Sequence, residues 1–304
     1  MTTKATVGFI GLGNMGAPMA RRLSQGGHGL VLYDTRQAAL APLLDRDQSI
    51  VAAREPSDIG SNCTIVITML PDADVVRDAV LGTEGRAGLV PGLAPGGVVI
   101  DMSSSAPTAT LRLGQDLDAH GIGLVDAPVS GGVPRAVDGT LTIMAGGAPD
   151  TVEAVEPVLS SMGTVHRTGA LGSGHAMKAL NNYVSAAGLL AVSEALIVAE
   201  RFGLDPHVLN DVLKASTGRN NTTDRKVEQY MLNRAFDSGF ALDLMRKDVG
   251  IARGLAGDLA LDAPWLQACE DLLDRAAQTL GPGADHTAVL AYLEARLAAR
   301  DKPR

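Results

Sequence analysis

Three short stretches of the chain carry residue types that can do chemistry. The first is Gly11-Leu12-Gly13-Asn14-Met15-Gly16, which follows the apolar run Val7–Ile10 and opens a helix-like stretch reaching Gln25. In such a turn the first glycine permits the tight reversal and the second lets the backbone approach a pyrophosphate. The third lets helix pack closely on strand. The helix that follows offers N–H groups and the positive end of its dipole to the phosphates. The next apolar run ends at Asp34, at roughly the 20-residue separation where a carboxylate takes the hydroxyls of an adenosine ribose. Asp34 repels a 2′-phosphate and so favours NAD, while the nearby Arg36 softens that preference and leaves NADP admissible.

The second stretch is Gly172-Ser-Gly-His-Ala-Met-Lys178, where a lysine sits between a glycine-rich turn and a long apolar helix pattern. Most helix lysines are solvated, but one held in a dry pocket has its pKa lowered and can exchange a proton with a reacting oxygen. Asn182 lies one turn later, on the same helix face. The third stretch, Ser130-Gly131-Gly132, follows a strand end and Pro128. Successive N–H groups on such a turn suit a carboxylate; an ordinary turn is the other reading.

These residues need a frame to hold them. Strand patterns fall at Thr6–Ile10, Leu30–Asp34, Thr64–Met69, Val98–Met102, Gly123–Asp126 and Leu141–Ala145, with helix patterns between them such as Met15–Gln25, Ala73–Leu81 and Ala109–His120. That alternation predicts a parallel sheet with helices on both faces. From about His175 the strand patterns stop. Long helical stretches follow at His175–Phe202, Pro206–Ser216, Ala241–Ala256 and Pro264–Leu280. The reading is an α/β Rossmann-type doubly wound domain over residues 1–165, followed by an all-α C-terminal domain over 166–304. Asp301–Arg304 reads as a frayed tail.

Composition narrows the function. Of 304 residues, 46% are hydrophobic and 20% charged, enough for an ordinary core. The net charge of −8 argues against nucleic acid, which needs a basic surface. Cys63 and Cys269 are far apart and the six histidines share no ligand spacing, so neither a disulfide framework nor a metal site is expected, and a cytoplasmic setting fits. The N-terminus lacks the apolar region of a signal peptide. Tyr183–Phe202 is the most membrane-like segment, but Glu194, Glu200 and Arg201 interrupt it, which favours a buried helix. Asp72 and Asp74 read as first-turn helix charges, His175 as a capping or surface residue, and Asp248 as a structural helix charge.

With the glycine fingerprint, five further segments resemble the β-hydroxyacid dehydrogenase family, which includes 3-hydroxyisobutyrate dehydrogenase and tartronate semialdehyde reductase. They are Ile67–Asp72, Asp101–Pro107, Asp126–Gly132, Gly172–Asn182 and Gly239–Asp248, and they occur in family order. The resemblance implies that Lys178 is the catalytic acid–base and that Asn182 holds the substrate oxygen and orients it. It places the substrate acid group at Ser130, Gly131 and Gly132, with Phe240 and Asn182 beside the substrate. Leu70, Pro71 and Val75 would line the adenosine side, Ser104 would reach the nicotinamide ribose, and Lys247 would close over the cofactor.

The expected activity is NAD-dependent interconversion of a small 3-hydroxy acid with its semialdehyde or keto acid. The polar run Arg219–Lys226 departs from relatives acting on branched acids and points toward a more polar acid, such as a tartronate semialdehyde, threonate or serine-like substrate. A non-catalytic nucleotide-binding module is the contrasting class, and imine reduction another; Lys178 and Asn182 count against both. The larger 6-phosphogluconate dehydrogenase has a helical region too long for this chain. The apolar helix Tyr183–Ala199, with Gly188 in it, predicts a homodimer or homotetramer.

Overall fold

The computed structural model describes residues 4–300 except Arg46 and Gln48; the tail expected at Asp301–Arg304 lies outside the described residues. The chain divides into two compact units, Met1–Lys178 and Ala179–Arg304.

The first unit runs β1 (Thr6–Ile10), α1 (Gly16–Gln25), β2 (Gly29–Tyr33), α2 (Ala41–Leu44), β3 (Ile50–Ala52), α3 (Pro56–Asn62), β4 (Ile65–Thr68) and α4 (Ala73–Leu81). A small hairpin follows, β5 (Gly82–Thr83) with β6 (Arg86–Ala87), then β7 (Val98–Asp101), α5 (Pro107–Asp118) and β8 (Gly123–Asp126). It closes with β9 (Val129–Ser130), α6 (Gly132–Asp138), β10 (Leu141–Gly146), α7 (Pro149–Leu159) and β11 (Gly163–Gly169). The main sheet has the order β11-β10-β8-β7-β4-β1-β2-β3.

From β8 to β3 all neighbours are parallel, the doubly wound arrangement in which ligands gather outside the carboxyl ends of the strands. The sheet is not parallel throughout, as the strand–helix alternation had suggested. β10 runs antiparallel to β8 and β9, and β11 follows it in parallel. β9 uses the start of the β8–β10 link to pair with β10, leaving only the seven-residue α6 to cross, so the chain turns back instead of completing a long crossover. The expected boundary after residue 165 falls inside β11, which carries the sheet edge on to Gly169.

Alternate strand residues enter opposite cores. Val7, Phe9, Leu30 and Leu32 pack with Met19 and Leu23 of α1 and with Val155 of α7. Val31 and Tyr33 pack on the other face with Ile59, Val76, Val80 and Leu117 from α3, α4 and α5.

The second unit is helical. α8 (Ser173–Phe202) begins in the first unit and supplies the central helix of the second, with α9 (Pro206–Ala215), α10 (Asn221–Arg225), α11 (Leu242–Asp258), α12 (Pro264–Leu280) and α13 (Val289–Arg300). α8 is long and apolar enough to cross a membrane, yet its Ala186, Leu189, Leu190, Leu196 and Ile197 are buried in this unit's core with Val249, Leu273 and Leu293.

Candidate active site

The turn after β1 is built of missing side chains. Gly11 has φ +98, and a Cβ on it would lie 2.3 Å from the Met69 carbonyl oxygen. A Cβ on Gly16 would lie 1.9 Å from the Gly11 carbonyl oxygen. Both glycines are therefore demanded by the fold. Gly13 differs: nothing lies within 4 Å of its absent Cβ, so its side faces open space. No side chain caps α1, so the backbone N–H groups leading into it, around Asn14 and Met15, are not taken by a side-chain cap and can face solvent or an anion. A dinucleotide pyrophosphate fits that cradle.

Asp34, at the end of β2, is buried and grips the same turn. Its Oδ2 accepts from Leu12 N at 2.7 Å and its Oδ1 from Arg36 N at 2.8 Å. The Arg36 Nε lies 3.4 Å from Oδ1, with its side chain 69% exposed. Asp34 thus has a structural duty, tying the turn to β2, beside any it has toward a ribose.

The carboxyl ends of the next strands form a polar row. Register aligns Ile10 with Thr68, Thr68 with Asp101 and Asp101 with Asp126, so these side chains share one face of the sheet. Asp101 Oδ1 accepts from Thr68 Oγ1 and Ser103 N, both at 3.0 Å, and its Oδ2 accepts from Ser105 Oγ at 2.9 Å. Ser104 is held half-buried between these two anchored serines. Ser103 Oγ in turn accepts from Leu70 N at 2.9 Å, and Asp72 caps α4 by accepting from Val75 N at 2.9 Å. The segment carrying Leu70, Pro71 and Val75 is therefore fixed at both ends. Ser130 ends β9, paired with Thr142. Gly131 and Gly132 then turn the chain with φ +129 and +67, values that glycine alone adopts at little cost.

α8 is rooted in the same polar row. Asp126, fully buried, accepts from Gly172 N at 2.8 Å and from His175 N at 2.7 Å, capping the helix from a strand end instead of from its own sequence. Burial raises the Asp126 carboxyl above its ordinary range, against the pull of His175 and of the two N–H groups. Gly174 permits the close seating, since a Cβ there would lie 2.2 Å from the Met144 carbonyl oxygen. His175 is not a surface residue, because α5 and the Ser103 segment cover its ring: it is 1% exposed. Its Nδ1 lies 2.7 Å from Thr110 Oγ1, and its Nε2 lies 3.1 Å from the Ser103 carbonyl oxygen. Lys178 stands one turn above it and Asn182 one turn further.

In the helical unit, Asn182 donates through Nδ2 to Asp248 Oδ2 at 2.5 Å, and the Lys247 Nζ lies 3.9 Å from Asp248 Oδ1. Asp248 is thus more than a helix charge: buried among apolar neighbours, it orients the Asn182 amide. A signal was present in the sequence. The buried positions Leu242, Met245, Val249 and Ala252 mark the core-facing stripe of α11, and Asp248 falls on it. Phe240 is held by its backbone, its carbonyl oxygen accepting from His286 N at 3.0 Å and lying 2.9 Å from His286 Nδ1. Burial lowers the nearby Lys226 amine to about 8, against the pull of Asp285.

The polar run at Arg219–Lys226 is largely spent on itself. Asn220 caps α10 in a capping box with Thr223, and Arg219 pairs with Asp224 at 3.1 Å. Its composition therefore reports a helix start. Gly188 faces the Asn220 side chain, 3.5 Å from where its Cβ would be, and so serves packing within the unit, not the close approach of a partner helix expected of it.

Two family models match the chain: an NAD-binding domain of 6-phosphogluconate dehydrogenase over residues 6–172, and an NAD-binding domain of NADP-dependent 3-hydroxyisobutyrate dehydrogenase over residues 172–293. The 2-(hydroxymethyl)glutarate dehydrogenase of Eubacterium barkeri is 35% identical over 83% of this chain and 82% of its own. The 3-sulfolactaldehyde reductase of Escherichia coli is 32% identical over 94% and 95%. A solved 3-hydroxyisobutyrate dehydrogenase of Mycobacterium tuberculosis, with L-serine, superposes with a TM-score of 0.85 at 32% identity, covering 95% of this chain and 99% of the other.

Proposed function

Because the chain belongs to the β-hydroxyacid dehydrogenase family, and so is an NAD(P)-dependent oxidoreductase acting on the CH–OH group of a hydroxy acid, we propose that Lys178 is its catalytic acid–base and a small 3-hydroxy acid its substrate. The bound nicotinamide supplies hydride acceptance from the alcohol carbon, or hydride donation in reverse. The protein's own part is to place and neutralise. The Lys178 amine takes the hydroxyl proton as the carbonyl forms and returns it to the carbonyl oxygen in reduction. Asn182, oriented by Asp248, holds that oxygen. Ser130 and the Gly131–Gly132 turn hold the substrate carboxylate, and Phe240 packs beside it.

The observation that carries this reading is the rooting of α8. Its first turn is fixed to the carboxyl ends of the strands through Asp126, and Lys178 follows one turn on. Lys178→Met is expected to cut kcat about 10²–10⁴-fold with NAD binding kept; near-normal turnover overturns the assignment.

On the cofactor side, Gly11, Leu12, Gly13, Asn14, Met15 and Gly16 would hold the pyrophosphate and Asp34 the ribose. Leu70, Pro71 and Val75 would take the adenosine side, Ser104 the nicotinamide ribose, and Lys247 the outer edge. We assign the preference to NAD, since a phosphate on the ribose would meet the Asp34 carboxylate. For the substrate, 3-hydroxyisobutyrate is the leading candidate. Serine or another polar acid is favoured second, by the relatives' names and by the L-serine in the solved relative. Assays of 3-hydroxyisobutyrate, glycerate, threonate and serine, each with NAD and NADP, decide among them.

We also propose a homo-oligomer in the cytoplasm. Leu180, Val184, Val198 and Phe202 of α8 and Val208 and Val212 of α9 are all at least 45% exposed, a large apolar display for a lone chain. Sedimentation at the monomer mass alone refutes it.

A further inference from the structure

Nothing in the reaction above uses His175, yet it sits where the sheet, α5 and α8 meet. Its ring is enclosed, and each nitrogen has a partner. The Ser103 carbonyl can only accept, so Nε2 carries a hydrogen. Nδ1 lies 2.7 Å from Thr110 Oγ1, whose hydroxyl also lies 3.2 Å from the Ala106 carbonyl oxygen. The two carboxylates facing the ring, Asp101 at 3.7 Å and Asp126 at 3.8 Å, are already engaged by serine, threonine and backbone donors.

What His175 joins is specific. Through Ser103 it touches the segment whose next residue is Ser104. From the sheet side that segment is anchored by Asp101 and by Leu70 N. Through its own amide it belongs to the first turn of α8, one turn before Lys178. Replacing the ring by a small side chain would leave the Ser103 carbonyl and the Thr110 hydroxyl without their shared partner, and a void under the helix.

We infer that His175 is a positioning residue, a strut that sets the distance between the Ser103–Ser105 segment and the helix turn carrying Lys178. The inference rests on the proposed role of Lys178. Displacements of about 1 Å at a reacting group cost up to roughly 100-fold in rate, so the strut's value lies in kcat.

The test uses the full-length enzyme and the best substrate of the panel, with kcat, KM and NAD affinity measured for H175A, H175Q, K178A and the H175A/K178A double variant. H175A should lower kcat about 10–100-fold with NAD affinity within about threefold. H175Q, whose amide N–H can still reach the Ser103 carbonyl, should recover to within about fivefold of wild type. On the K178A background, H175A should cost nothing further, because the strut acts through a group already gone. An equal loss on both backgrounds, or unchanged kcat in H175A, overturns the inference. Near-normal turnover in K178A instead overturns the reading of Lys178, a separate result. Should H175A not fold, T110V carries the test, with a several-fold loss expected in wild type and none on K178A.

Discussion

The turn after β1 and the strand ends beneath α8 build neighbouring parts of one sheet edge in opposite ways. The turn consists of backbone, with glycines at Gly11 and Gly16 because any side chain would strike carbonyl oxygens. The region beneath α8 consists of buried side chains, Thr68, Asp101, Ser103, Ser105, Thr110, Asp126 and His175, matched by one another or by backbone groups. A backbone site tolerates no added atom. A side-chain network tolerates no removed one, since every deletion leaves a buried partner unmatched. Two neighbouring regions therefore fail in opposite directions under mutation.

The largest break should come from Gly16→Ala. Its Cβ would lie 1.9 Å from the Gly11 carbonyl oxygen, so the turn must deform. Overpacking of this kind costs about 1–3 kcal/mol in stability, and NAD affinity, measured by calorimetry, should fall by roughly 100-fold or more, about 2.7 kcal/mol.

Next in size is Asp126→Ala, which strands the N–H groups of Gly172 and His175. At about 1–3 kcal/mol for an unsatisfied buried group, less the relief of a buried carboxylate, a net loss of about 2 kcal/mol is expected in urea unfolding. NAD affinity should change much less than in Gly16→Ala. If both variants lose cofactor equally, the contrast between the regions is false.

Gly13→Ala sharpens the comparison from within the turn. Its Cβ meets nothing, so thermal stability should stay within about 0.5 kcal/mol, while on the proposed placement of the phosphates at this turn NAD affinity should drop on the order of tenfold. A stability loss as large as that of Gly16→Ala would refute the division of labour among the glycines.

The smallest effect is in pH dependence. Burial holds the Asp126 carboxyl above its ordinary 3.8, so the folded protein binds this proton more tightly than the unfolded chain. Its contribution to stability is greatest below 3.8 and declines as pH rises through the folded value. Asp285 in the helical unit has the opposite sign. Burial pushes it up, but donors at His286, Thr287 and Ser238 together hold it well below 3.8. Its contribution is present above 3.8 and is lost as pH falls toward the folded value. Denaturant titrations of Asp126→Asn and Asp285→Asn across acid pH should remove slopes of opposite sign.

Much of the first unit was legible because its signals are local. Thr6–Ile10, the glycine turn and Asp34 lie within one strand–helix–strand segment, where spacing alone fixes geometry. The helix Pro264–Leu280 announced itself by a proline in its first turn. The direction of β10 was not legible, since alternation of side chains is the same whichever way a strand runs. Nor was the meaning of Arg219–Lys226, whose polar residues answer one another in a capping box that composition does not distinguish from a polar pocket.

The sequence by itself determined the glycine turn after the first strand, the order of the two units and the place of Lys178 one helical turn before Asn182, because short-range sterics and helix periodicity are properties of neighbouring residues. Only the tertiary structure decided that Asp126 caps a helix more than forty residues away, that Asp248 turns inward to hold Asn182, and that His175 is enclosed. Those outcomes depend on burial, which makes an unmatched polar group costly and so forces distant partners together, and burial is settled by packing, not by spacing along the chain.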